Sequence, residues 1–195
     1  MRLLIAITVA SLLLPGLALA QDMTGTNEPV FTVGVSFHAV STPLSKPGNN
    51  FRNFGFKLGI ELPWNKRGNL RQSVEAGYYF NRFNGRSLYV HSDFAYRPGI
   101  AEGLRVNIHL GPGLAYLLRP SQGMKIENGK WMATTSPRFF PQVHASISLS
   151  YDDLRVSNPL ASPFVQYELM GIIGYNTGIP VFPNSFIHVG SKFKF

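Results

Sequence analysis

The stretch SFIHVGSKFKF, residues 185–195, repeats with period two: Ile187, Val189, Phe193 and Phe195 fall on one face, and His188, Gly190, Lys192 and Lys194 on the other, with Phe186 interrupting the polar face. That is the pattern of an extended strand with one apolar and one polar side, and the sequence closes on its last aromatic.

The same alternation occurs seven times upstream. Residues 30–40 set Phe31, Val33, Val35, Phe37 and Ala39 against Thr32, Gly34, Ser36 and His38, and residues 53–62 set Phe54, Phe56, Leu58, Ile60 and Leu62 against Gly55, Lys57, Gly59 and Glu61. Residues 70–82 oppose Val74, Ala76, Tyr78 and Phe80 to Ser73, Glu75, Gly77 and Asn81; residues 87–97 oppose Leu88, Val90, Phe94 and Tyr96 to His91, Asp93 and Arg97. In residues 104–118, Leu104, Val106, Ile108, Leu110, Leu114 and Tyr116 alternate with Arg105, Asn107, His109 and Gly111, and Pro112 predicts a bulge there or a position near the outer rim. Residues 139–151 set Val143, Ala145, Ile147 and Leu149 against Gln142, His144, Ser146 and Ser148, and residues 162–175 set Val165, Tyr167, Leu169 and Ile173 against Gln166 and Glu168. Each segment reaches the roughly 9 to 11 tilted residues that a strand needs to cross a bilayer. The joints alternate between one side (63–69, 98–103, 152–161) and the other (41–52, 83–86, 119–138, 176–184), and the longest belongs to the second set. The expectation is an all-β chain: eight antiparallel strands closed up-and-down into a transmembrane barrel over residues 30–195.

Composition and the N-terminus agree. Arg2, the apolar run of residues 3–14 and Ala18-Leu19-Ala20 have the three-part form of a secretory signal peptide over residues 1–20, leaving 21–29 as a short periplasmic lead-in. The run is shorter than the roughly 20 apolar residues that span a bilayer as a helix. Charged residues are 14% and aromatics 13% of a chain with net charge +8. In an exported protein this basic balance points to anionic lipid or polysaccharide, and nucleic acid is not expected. Cysteine is absent, which excludes disulfides, a lipoprotein acylation site and thiolate metal cages.

Cost decides which face meets lipid. Arg or Lys on the lipid face at the midplane costs about 2 to 4 kcal/mol, so Lys57, Arg105 and Lys192 should point into the lumen. Glu61, Glu75, His91, Asp93, His109 and Glu168 should join them in a paired network, since buried charges require partners. A soluble barrel would carry the opposite polarity.

On this pattern the mature chain resembles the small eight-stranded outer-membrane barrels, the class that includes the transmembrane domain of the outer-membrane protein A family. A last strand ending on Phe195 resembles the terminal strand that the barrel-assembly machinery reads. The resemblance implies residence in the outer membrane of a Gram-negative bacterium, as a monomer, and specifies a scaffold only.

Three constellations are left for function. The luminal network is either structural filling or a narrow small-solute conduit, because eight strands enclose a space just wide enough for side chains. The sequence holds no recognised cofactor motif, and its five histidines show no metal-ligand spacing. His144-Ala145-Ser146, with Glu168 on the next strand, resembles the outer-membrane lipid A 3-O-deacylase family. That likeness implies Ser146 as nucleophile, His144 as base and Glu168 as its orienter. Ile147 stands where that family has Asn, and alternation puts His144 and Ser146 in the lumen, whereas that family's site faces lipid. Finally, Lys46, Arg52, Arg82, Arg86, Arg119, Lys125, Lys130 and Arg138 cluster in the outer joints, with Glu127 their one acid. Lipopolysaccharide or another outside ligand is the expected partner of that rim. The leading reading is a non-enzymatic structural or surface-binding barrel; a lipid A hydrolase and a channel are the alternatives.

Overall fold

The computed structural model describes residues 28–40, 51–65, 68–82, 85–118, 123–127, 129–134, 137–152, 161–176 and 179–194. The expected signal peptide, Lys46, Arg119 and Phe195 lie outside the described residues. Eleven strands follow in order: β1 (Val30–Ala39), β2 (Phe54–Pro63), β3 (Leu70–Asn81), β4 (Gly85–Tyr96), β5 (Gly99–Ala101), β6 (Leu104–Leu118), β7 (Gly123–Glu127), β8 (Lys130–Thr134), β9 (Pro137–Tyr151), β10 (Ala161–Asn176) and β11 (Ile179–Lys194). β4, β3, β2, β1, β11, β10, β9 and β6 are hydrogen-bonded in that order, and a β4–β6 pairing closes the ring. Every neighbouring pair is antiparallel, so eight strands form the expected up-and-down barrel. The pairing of β1 with β11, from Val30↔Lys194 to Ala39↔Ser185, joins the two ends of the chain. β5 is a short addition beside β6, and β7–β8 is a separate hairpin inside the joint read as a loop over 119–138.

Two local expectations need correction. No bulge occurs at Pro112. The β6–β9 register runs through Pro112↔Val143 without a shift, and Pro112 lies in the interior of a 15-residue strand rather than near a rim. On the other side the β4–β6 ladder lapses between His91↔Gly113 and Phe94↔Leu110 and resumes in the same register. The sheet tolerates a residue with no N–H by dropping local pairing. The joint at 176–184 is also mostly strand, since β11 already begins at Ile179. Among the described residues β11 has no partner on the β1 side beyond Ala39↔Ser185, so Pro180 and Pro183 break no described pairing there.

Burial follows the alternation with inverted polarity. Facing outward and exposed are Leu58 (57%), Leu110 (64%), Ile147, Val165 and Val189, while inward-facing Lys57, Glu75, Glu168 and His188 are 0–2% exposed. Ala39, expected on the outer face, is buried at the end of β1. Exposed aromatics gather at both margins: Trp64, Tyr96 and Tyr151 toward the end that carries Val30 and Lys194, Phe51, Phe80 and Phe139 toward the far end.

Candidate functional site: the lumen and the far-end rim

The lumen is filled in three tiers. Nearest the Val30 end, Lys192 Nζ donates to Glu61 Oε1 (2.5 Å), and Arg71 Nε lies 3.6 Å from Glu61 Oε2. Asp152, just beyond β9, accepts from Arg97 (3.2 Å), Arg105 Nε (2.7 Å) and Ser162 Oγ (2.6 Å). Burial opposes ionisation of Asp152, but the Ser162 hydrogen bond and the Arg97 and Arg105 cations outweigh it and hold its carboxyl below the ordinary value. Arg105 was expected in the buried network. Its side chain is 43% exposed, because at the second residue of β6 it reaches the mouth of the barrel.

The middle tier holds most of the expected luminal residues. Lys57 Nζ donates to Glu75 Oε2 (2.5 Å) and Gln166 Oε1 (2.7 Å), and Gln166 Nε2 donates to Ser146 Oγ (2.7 Å). His91 Nε2 is 3.1 Å from Glu75 Oε2 and 3.6 Å from Asp93 Oδ2; Ser73 Oγ donates to Asp93 Oδ2 (3.1 Å) and lies 3.3 Å from His109 Nδ1. His188 bridges Ser36 Oγ (2.8 Å) and Glu168 Oε2 (2.9 Å). Glycine makes room here. Gly34 faces Gly190 across β1–β11, and a Cβ on Gly34 would stand 3.3 Å from Phe164 Cζ. The Phe164 ring occupies that space with the Lys57 and Lys192 ammonium groups 5.9 and 5.8 Å from its centroid.

The far-end tier is mainly apolar: Tyr79, Tyr89, Leu117, Phe140, Ile172 and Phe186 cluster there, around a His38 that is hydrogen-bonded to Asn81 and Asn184. Sequence reading saw only Phe186 of this plug, as an interruption of one polar face. The parity of Tyr79, Tyr89 and Phe140 with their inward neighbours was the signal that could have found it.

A closed eight-stranded antiparallel barrel has solved counterparts. The chain is similar to neisserial surface protein A (NspA), with TM-score 0.59 and 14% identity over 86% of this chain and 97% of that one. It is similar to the attachment invasion locus protein Ail of Yersinia pestis (TM-score 0.51, 15% identity, 87% and 99% covered) and to the N-terminal β-barrel domain of Pseudomonas aeruginosa OprF (0.52, 13%, 88% and 98%). The fold is that of the small outer-membrane barrels. No family model and no curated protein matches the sequence. At these identities the likeness concerns the fold alone.

Within this outer-membrane-type barrel, His144, Ser146 and Glu168 share the lumen but form no relay among the described residues. His144 Nδ1 faces Asp93 Oδ1 at 2.8 Å, Ser146 Oγ accepts from Gln166, and Glu168 Oε2 meets His188. All three side chains are buried, away from the lipid face.

Of the rim residues, Arg52, Arg82, Arg86 and Arg138 are described and exposed; for Lys125 and Lys130 the structure describes strand backbone in β7 and β8. The Arg86 guanidinium lies 5.9 Å from the centre of the Phe80 ring. Arg86 pairs with outward Leu118 and Arg138 with inward Leu117, so β4, β6 and β9 bring both arginines to one sector of the rim, Arg86 on the outer face and Arg138 on the luminal one. Directly below, the outer face has an apolar depression of about 720 Å³ lined by Phe56, Leu58, Ala76, Gly77, Tyr78, Leu88, Val90, Leu114, Tyr116 and Phe139. Its floor is low because Ala76 and Gly77 stand among larger side chains, and the Tyr89 ring occupies the space inside Gly77.

Proposed function

We propose that the chain is a non-enzymatic outer-membrane barrel that binds lipopolysaccharide at its far-end rim. The carrying observation is that Arg86, with Arg82 beside it, continues the outward face of β3 and β4 above Leu88 and Phe80, at the rim over an apolar depression on the outer face. Guanidinium groups pair with phosphate in bidentate fashion, and an acyl chain fits a groove of phenylalanine, leucine and tyrosine. A phosphorylated, multiply acylated lipid presents both chemistries in the same vertical order. In this reading residues 1–20 are removed on export, the chain works as a monomer, and the strand ending at Phe195 is the one the assembly machinery reads.

The test is retention of lipid A by the detergent-purified barrel, followed by native mass spectrometry. Arg82→Ala with Arg86→Ala should weaken retention at least about tenfold, because two charge-assisted phosphate contacts at about 1.5 to 3 kcal/mol each are lost. Undiminished retention by the folded double variant rejects the site. The same incubation discriminates the hydrolase alternative: free fatty acid released by the wild type and abolished in Ser146→Ala would replace this reading with an esterase.

A further inference from the structure

The middle of the lumen contains a cluster that the lipid reading does not use. His91, Asp93 and His144 are each 1–2% exposed, and one ligating atom from each lies within 4.8 Å of the others. Glu75 and Glu168 group with His91 in the same way. Two glycines bring the cluster together. Gly111 and Gly113 stand on β6 between β4 and β9, opposite His144 and Gln142. A Cβ on Gly113 would lie 2.7 Å from both His91 Cβ and Gln142 Nε2, and one on Gly111 2.6 Å from Asp93 Oδ1. Side chains from β4 and β9 therefore meet across a strand that has none to interpose.

The cluster is under-satisfied. Among the described residues, His144 Nε2, His91 Nδ1 and Glu168 Oε1 have no hydrogen-bond partner, and neither polar atom of the Gln142 amide has one. His144 Nδ1 and Asp93 Oδ1, although 2.8 Å apart, are out of line for a hydrogen bond. A buried polar atom without a partner costs about 1 to 3 kcal/mol, so several in one place call for an occupant. Charge points the same way. Among the described residues, Glu75, Asp93 and Glu168 face one ammonium, Lys57, in this tier, whereas Arg71, Arg97 and Arg105 sit at the Val30 end with Glu61 and Asp152. With neutral imidazoles the tier is short of two positive charges.

We infer that His91, Asp93 and His144 form a site for one borderline divalent cation, of which Zn²⁺ is the representative, inside the barrel. Two imidazoles and a carboxylate are a zinc-type donor set. His144 Nδ1 lies 2.8 Å from Asp93 Oδ1 and His91 Nε2, which also faces Glu75 Oε2, lies 3.6 Å from Asp93 Oδ2, either side of the roughly 3.3 Å between ligands of a tetrahedral ion bound at about 2.0 Å. Glu75 or Gln142 completes the set. The His91 and His144 rings stack at 4.0 Å with 4° between planes, so one must tilt as the ion enters, since a bound ion lies in the plane of each imidazole. The ion joins β4 to β9 across β6 and cancels the local charge.

The experiment refolds the full barrel in detergent with one equivalent of Zn²⁺ or Co²⁺, or with chelator, and measures metal retained after gel filtration. The expected result is about one ion per chain. Cobalt should give visible ligand-field bands, and zinc should raise the unfolding temperature. Folded Asp93→Asn and His144→Gln should bind at least about tenfold more weakly, while His38→Gln, in the far-end tier, should bind as the wild type does. Failure of the wild type to retain metal overturns the inference, as does retention undiminished in the two variants. If either variant does not fold, ¹⁵N spectra of wild-type histidine rings decide: zinc-dependent shifts at His91 and His144 support the site, and unmoved rings reject it.

Discussion

Lys57 shows how much one luminal side chain carries. Its ammonium is wholly buried, and it holds Glu75 and Gln166 while packing beside Phe164. Removing one member of a buried pair leaves the other charge without compensation, at about 3 to 5 kcal/mol. Lys57→Met should lower barrel stability by that amount in urea titrations from lipid vesicles, and adding Glu75→Gln should restore most of it. A double variant no more stable than the single one would refute the pairing. At this scale the sequence told which residues face inward, because parity along a strand is local. It did not tell that His144 faces Asp93 or that Ser146 serves Gln166, because those partners come from strands 51 and 20 residues away.

At the scale of the element, each strand is set by its apolar face. β2 presents Phe54, Phe56 and Leu58 outward, each at least half exposed, and Lys57 and Glu61 inward. Leu58→Arg should therefore cost about 2 to 4 kcal/mol in vesicles, while Ile100→Arg, at the margin in β5, should cost about 0 to 1. Equal effects at the two positions would contradict a lipid belt. The cleanly alternating strands were legible because period two survives without any knowledge of neighbours. The extension of β11 across Pro180 and Pro183 was not, since only the register with β1 shows that those prolines break no described pairing. Nor was Pro112, whose cost depends on whether β4 pairs there.

For the whole molecule, Asp152 is a joint in the closure. From beyond β9 it takes hydrogen bonds from Arg97, which follows β4, Arg105 of β6 and Ser162 of β10, and its backbone N–H donates to Gly103 O at 2.7 Å. Gly103 sits at φ +75°, and an added Cβ would stand 2.6 Å from Asp152 O, so the turn needs glycine. Because the folded carboxyl titrates below its ordinary value of 3.8, its contribution is complete above that value and disappears as pH falls through the lower folded one. Asp152→Asn should thus destabilise the barrel at pH 7, and its deficit against wild type should shrink between pH 4 and pH 2. A deficit constant across that range would deny the ionic role.

By itself the sequence determined eight amphipathic strands, the sign of their two faces and hence a barrel turned outward to an apolar medium. These properties follow from alternation along the chain and from the cost of desolvating charge. Register was decided only by the tertiary structure. It placed Gly111 and Gly113 between His91, Asp93 and His144, set Arg86 beside Phe80 at the rim above the outer depression, and drew Arg97 and Arg105 onto Asp152. A shift of two residues in any pairing would leave every face unchanged and every one of those meetings undone.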